Sequence, residues 1–389
     1  MLYNVTILKN RELKRLATYA RLKKEGIEVI EKLDVMKVNT IANNVASKLC
    51  IAFPEHNLNK SDLFESLAKL NMYVAKMPAD SSGAKYSYRD NSIFFNETSD
   101  IDEMSNLAVH ECIHCIQEFR GSKNNIVKLG LYTPSSNSGL AINEAAVQLM
   151  ASEANMLNIT NETYYGITIN TISPNYYPLQ CALLNQISYF TGTYPLYHST
   201  LYSNDIFKNT LTLKTDKKTY SIISKNFDKL LALENNLNYY SSELQYTDKI
   251  SAIKLLYKLI NETKEDIKSL FFKTQNLIMH KCFKNEFNSI RNLEDIKIFN
   301  RKLYNYKNVI GFADEYTYYN EFYCNMMEVI EEKKSYIEKY GEINLFENIN
   351  TGLMLVESTQ NTFSFISTFI SKFKKLLGLN KSAESINDL

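Results

Sequence analysis

The chain has no tryptophan, and its 389 residues include only 11 glycines, 6 prolines and 5 histidines. So few chain breakers over such a length disfavour an all-β sandwich and favour helices. Neither sign of charge is in excess, with 44 Lys and Arg against 43 Asp and Glu and a net charge of +1. That balance gives no support to a general nucleic-acid binder or to a protein that coats anionic membranes, since both show a basic excess. No uncharged apolar run approaches the ~18 residues that a membrane helix needs. The first forty residues carry nine Lys or Arg and five Asp or Glu, spread evenly. They have no apolar core and no small-residue cleavage site, so no secretion signal is expected. A cytoplasmic location follows as the expectation, with non-standard export left open.

Disulfides are not expected either. The six cysteines (Cys50, Cys112, Cys115, Cys181, Cys282 and Cys324) are scattered and form no framework. What is present in excess is aromatic: 27 Tyr and 20 Phe, with Asn, Lys and Ile also abundant. This mixture reads first as the codon bias of an AT-rich bacterial genome.

The chain is expected to be α+β. Residues 11–50 read as two helices, with Leu13, Leu16, Ala17 and Ala20, then Val38, Ile41, Val45 and Leu49, at helical spacing. A short helix and a strand (Met72 to Lys76) follow, then a β-hairpin over Lys85 to Asn96 with a polar turn at Arg89, Asp90 and Asn91. Thr98 or Ser99 caps a helix that runs from about 101 to Phe119, with Gly121 at its C′ position. A second helix spans Leu140 to Leu157. Beyond 205 the pattern is mainly helical. The expected divisions are an N-terminal helical segment (1–60), a core (61–205), a helical C-terminal domain (206–379) and a flexible tail (380–389).

His110-Glu111-Cys112-Ile113-His114 is the stretch that carries chemistry. Residues four apart share one face of a helix. Two imidazoles so placed grip one Zn²⁺, and the intervening Glu reaches the water on that metal as a general base. With five His in the chain, the expected number of accidental H-E-x-x-H matches is on the order of 0.004. A catalytic zinc needs a third protein ligand and an open fourth position. His56, His198 and His280 are not spaced to complete a longer histidine motif. Glu118 shares the first helix, and one helix seldom supplies all three ligands. Glu144, in Asn143-Glu144-Ala145-Ala146 near the start of the second helix, is the better candidate, with Glu153 behind it. Cys112-x-x-Cys115 lacks a second pair and reads as packing. The apolar face from Phe363 to Leu377 and the aromatic, acidic stretch Glu315 to Glu321 also read as packing.

A hairpin, His110-Glu111-x-x-His114 on one helix and Asn143-Glu144-Ala-Ala on a second resemble the gluzincin metallopeptidases, closer to the compact minigluzincin type. The resemblance covers roughly residues 70–160. It implies a zincin-like core: a small mixed sheet with an edge strand, an active-site helix and a glutamate helix. It implies zinc held by His110, His114 and Glu144, with Glu111 as general base and a peptide or protein as substrate. It also implies that Ser92 to Asn96 is the edge strand pairing with that substrate. The family adds a Tyr or His donor for the oxyanion. Tyr164, Tyr165, Tyr176, Tyr177, Tyr194 and His198 all stand open for that role. The competing readings are a catalytically silent metallopeptidase-like binding or regulatory module and an exported effector protease.

Overall fold

The computed structural model describes residues 16–78, 83–88, 90–122, 125–311 and 318–342. The stretch Phe363 to Leu377, the tail from 380 and much of Glu315 to Glu321 lie outside the described residues. The architecture is mixed α+β with small sheets and a helical C-terminal region. Two compact units divide at Ile278 and Met279.

The first unit begins with α1 (16–24), β1 (Glu28–Lys32), α2 (Val35–Ala52), α3 (Lys60–Leu67), β2 (Asn71–Lys76), β3 (Ala84–Ser87) and β4 (Ser92–Asn96). The four strands make one mixed sheet in the order β1-β2-β4-β3. β2 and β4 are parallel, while β1 and β3 run antiparallel to their neighbours. β4 is therefore interior, and the edge strands are β1 and β3, which corrects the expectation for Ser92–Asn96. The reason is burial. Ile93, Phe94 and Phe95 have no exposed surface, as suits a strand covered on both faces, whereas Lys85 and Tyr86 on β3 are half-buried. β1 was read as part of a helix. Its residues are nearly all exposed, so no alternating apolar pattern marks it as a strand.

One face of the sheet carries Tyr73, Ala75 and Phe94, packed with Leu22 and Ile27. Tyr73 and Phe94 stack at 5.3 Å between ring centroids. Alternate residues point to the opposite face, and Met72, Val74, Ile93 and Phe95 are buried there too. Each such side chain contributes about 1.5–3 kcal/mol when taken out of water.

After the sheet come α4 (Ile101–Ile116), a hairpin of β5 (Glu118–Arg120) and β6 (Ile126–Leu129), and α5 (Leu140–Ala154). A second hairpin follows, β7 (Thr160–Tyr164) and β8 (Ile167–Thr171), then α6 (Pro178–Thr191), α7 (Thr193–Tyr202), α8 (Ile206–Lys214), α9 (Lys217–Tyr246) and α10 (Ile250–Ser289). α4 stops three residues before the expected Phe119, because the chain turns at Gln117 into β5. Gly121 sits in that hairpin, its N–H donating to Asn125 O at 2.9 Å, rather than at a helix end.

α5 is the most deeply buried element near the site: from Ala141 to Ala151, every residue except Glu144 is buried. Its N-cap is Gly139, which no other residue type fits well. The backbone is left-handed there (φ +84), and a Cβ would meet Leu131 O at 2.7 Å. A glycine offers no capping oxygen, so Asp228 of α9 supplies one from far along the chain. Its carboxylate accepts the Gly139 N–H at 3.0 Å and the Ala141 N–H at 2.9 Å.

The second unit contains the end of α10, α11 (Leu293–Ile310) and α12 (Tyr318–Tyr340). α11 opens with a capping box between Asn292 and Asp295. Phe283, Phe299, Tyr306 and Phe322 form its aromatic core. Among the described residues, no helix is long and apolar enough to cross a membrane.

Removing the remote cap tests its importance. Asp228→Ala is expected to cost about 1–2 kcal/mol of stability, read from the midpoint of urea unfolding. An unchanged midpoint would show that α5 does not depend on it.

Candidate metal centre

Asp100 fixes the start of α4, its carboxylate accepting the N–H groups of Asp102 at 3.0 Å and Glu103 at 2.8 Å. Asp102 and Glu103 lie in the positive first turn, where their charges are favourable. The cap falls one residue beyond the expected Ser99. The helix buries Met104, Ala108, Val109, Cys112 and Ile113. His110 and His114 sit together beside that face, with their Nε2 atoms 3.0 Å apart and their rings at 72°.

α5 crosses close by. Ala141, Ala145 and Ala146 have no exposed surface, and small side chains let the two helices approach. Glu144 is thereby brought to the imidazoles, with Oε2 3.4 Å from Nε2 of His110 and 3.4 Å from Nε2 of His114. The ligand atoms of the three residues lie within 4.8 Å of one another.

Donors at 2.0–2.1 Å from one ion in a tetrahedral array stand about 3.3–3.4 Å apart. The separations of 3.0, 3.4 and 3.4 Å fit that spacing closely. Two imidazole nitrogens and one carboxylate oxygen form a donor set that leaves a fourth position open. Behind the histidines, Nδ1 of His110 is 2.8 Å from Gln148 Oε1, and Nδ1 of His114 is 2.9 Å from the Gln117 side-chain amide. The residues present therefore fit a divalent metal, with a hydrogen-bond partner on the remote nitrogen of each ring.

Glu111 is buried, and its Oε2 accepts the backbone N–H of Tyr86 on β3 at 2.7 Å. Asn96 N donates to Gly83 O, so by antiparallel alternation Lys85 bonds β4 while the Tyr86 backbone faces away from it, toward Glu111. The Tyr86 hydroxyl is anchored separately, donating to Glu118 at 2.7 Å, and Glu118 in turn pairs with Arg120. Glu118 is thus engaged away from the three converging residues. Glu153 is also elsewhere, accepting from the Tyr197 hydroxyl. His198 lies in an aromatic cluster with His56, Tyr194 and Tyr202.

Of the six open donor candidates, Tyr177 is at the centre. Its ring stacks over His110 (6.4 Å, 19°), and Glu144 and Glu111 are the charged neighbours of its hydroxyl. Burial, and then the Glu144 and Glu111 carboxylates, push its hydroxyl well above the usual tyrosine value. Its backbone is left-handed (φ 50, ψ 41), an uncommon and costly state for an aromatic residue. Tyr176 lines the same cavity, and the Tyr164 hydroxyl donates to Pro174 O at 2.5 Å. In a chain with 27 Tyr, no local pattern singled out Tyr177.

His110, Glu111, His114, Glu144 and Tyr177 all open onto a cavity of about 950 Å³. Its remaining walls include Leu107, Leu129, Leu140, Leu157, Tyr86 and Tyr132. All six cysteines are free thiols. Burial raises Cys112 and Cys115 above the usual thiol value, which suits packing rather than reactivity. The chain matches no family model, no curated protein and no solved structure.

The electrostatics of the metal-free centre give a pH signature. Burial alone pushes Glu144 up, but His114 and His110 outweigh it and hold the carboxyl well below its usual 4.5. Burial alone pushes His114 down, but Glu144 outweighs it and the imidazole titrates above its usual 6.5. A depressed acid adds stability above 4.5 that is lost as pH falls through its folded value. A raised imidazole adds stability below 6.5 that is lost as pH rises through its folded value. Both contributions are whole only between about pH 4.5 and 6.5. With a chelator present, Glu144→Gln is expected to remove stability in that window, measured by urea unfolding against pH. A pH-independent effect of the substitution would contradict the pairing.

Proposed function

We propose that the chain is a zinc-dependent metallopeptidase of the gluzincin kind, with a zincin-like core formed by the mixed sheet, α4 and α5. The observation that carries this reading is the convergence of His110 Nε2, His114 Nε2 and Glu144 Oε2 at 3.0–3.4 Å on a cleft that also holds Glu111.

Bound zinc supplies Lewis acidity, polarising a carbonyl and bringing the pKa of water to about 7. The rest of the chemistry belongs to the chain. Glu111 takes a proton from the attacking water and delivers it to the leaving amine, a role worth about 10²–10⁴-fold in rate. The Tyr86 N–H, 2.7 Å from Glu111 Oε2, fixes where that carboxylate points. Tyr177 stays protonated at neutral pH and donates its hydroxyl to the oxygen that gains charge as the carbonyl is attacked. The apolar and aromatic walls of the cavity receive the side chains on either side of the scissile bond.

Zinc-loaded protein is expected to cleave internally quenched peptides from a mixed-sequence library. Glu111→Gln should keep one zinc per chain and lose about 10²–10⁴-fold in rate. Tyr177→Phe should lower kcat with little change in KM. If the wild-type protein binds zinc but cleaves nothing in the library, the fold serves as a binding module and the peptidase reading fails. If Glu111→Gln keeps full activity, the assignment of the base fails.

A further inference from the structure

A ring nitrogen can serve a metal only if the proton of the neutral imidazole sits on the other nitrogen. Which nitrogen carries it is decided by what stands behind the ring, and here a carboxamide stands behind each. For His110 the orientation of the carboxamide already suits a metal. Gln148 Nε2 donates to Ser152 Oγ at 3.2 Å, which turns Oε1 toward the imidazole, 2.8 Å from Nδ1. Nδ1 must then donate, so the Nε2 lone pair is free.

For His114 the side-chain nitrogen of Gln117 faces Nδ1 at 2.9 Å. Held that way, Nδ1 accepts and the proton falls on Nε2, the very atom that faces Glu144 Oε2 at 3.4 Å. The same orientation leaves Gln117 Oε1 buried without a hydrogen-bond partner. Its surroundings make this worse. Asn143 Oδ1, Gln117 Oε1 and the Thr200 carbonyl oxygen lie 2.3, 2.6 and 3.1 Å from the point where a Cβ of Gly130 would stand. Three oxygens thus border one spot, and Gln117 contributes one of them rather than a donor. Carboxamide oxygen and nitrogen have the same shape, so the hydrogen-bond network decides between the two orientations. Turned by half a rotation, Gln117 presents its NH₂ to this oxygen-lined spot and its Oε1 to His114.

We infer that Gln117 and Gln148 are paired positioning residues. Their carboxamide oxygens hold both imidazoles as Nδ1–H tautomers and aim both Nε2 lone pairs at one cation. The inference rests on the metal-site reading above. Both supports are neutral, so the negative charge of the centre comes from Glu144 and Glu111 alone. Many metal-bound histidines instead lean on a carboxylate, which makes the ring more basic.

The direct test is the imidazole ¹⁵N spectrum of zinc-loaded protein, compared with zinc-loaded Gln117→Ala and Gln148→Ala, because without a cation the two Nε2 atoms, 3.0 Å apart, share a proton whatever stands behind the rings. Both rings are expected as the Nδ1–H tautomer. An Nε2–H tautomer at His114 would overturn the inference for Gln117. The second test is zinc affinity by competition with a chromophoric chelator. Gln117→Ala and Gln148→Ala should each weaken binding about 10–100-fold. Gln148→Glu, which keeps an acceptor toward His110, should bind as tightly as wild type or more tightly. Wild-type affinity in both alanine variants, or a loss in Gln148→Glu as large as in Gln148→Ala, would overturn the positioning role. Should wild type itself take up no zinc, the metal reading fails; zinc uptake with wild-type affinity in both alanine variants fails the positioning role alone.

Discussion

The molecule turns on one short contact: a carboxylate oxygen of Glu144 3.4 Å from the Nε2 atoms of two histidines one helical turn apart. Three polar ligands drawn that close, in a partly dry cleft, are costly to assemble and are held only if the helices bearing them cannot slide. α4 is fixed by the Asp100 cap and by burial of its apolar face. α5 is fixed by its alanine face, by Asp228 reaching its first turn, and by Asn143 Oδ1 accepting the Leu131 N–H at 2.9 Å. The end of α7 closes the arrangement, with Ser203 Oγ donating to Gln117 O and accepting the Gly130 N–H. Slippage of α5 by one residue would carry Glu144 about 100° round its axis and away from both rings.

What could be read from the sequence was what is local. His110 and His114 share a face because a helix has 3.6 residues per turn, and the helix announced itself by its acidic first turn. Glu144 was reachable because it too sits near a helix start, beside two alanines. The hairpin of β3 and β4 was legible from its aromatic and β-branched residues, but not the order of strands within the sheet. That order depends on β2 pairing parallel to β4, a contact made across the intervening hairpin. β1 left no alternating pattern because it is exposed on nearly every residue.

The supports of the centre were hidden for a related reason. Asp228 caps a helix 87 residues earlier in the chain, and no window of local sequence connects the two. Tyr177 is one of 27 tyrosines, distinguished only by a left-handed backbone and by the ring it lies against. Gln117 and Gln148 lie three and thirty-eight residues from the histidines they touch. As neutral amides they carry none of the charge that draws attention to a site. Glu118 and Glu153, which stood behind Glu144 as candidates, are each taken by a tyrosine hydroxyl.

The central claim is that His110, His114 and Glu144 together hold one metal ion. Zinc K-edge absorption of protein loaded with one equivalent of zinc tests it most directly. The account predicts a nearest shell of nitrogen and oxygen alone at about 2.0–2.1 Å, with the outer scattering of two imidazole rings. A sulfur neighbour at about 2.3 Å, which would implicate Cys112 and Cys115, would contradict it, as would a shell without imidazole.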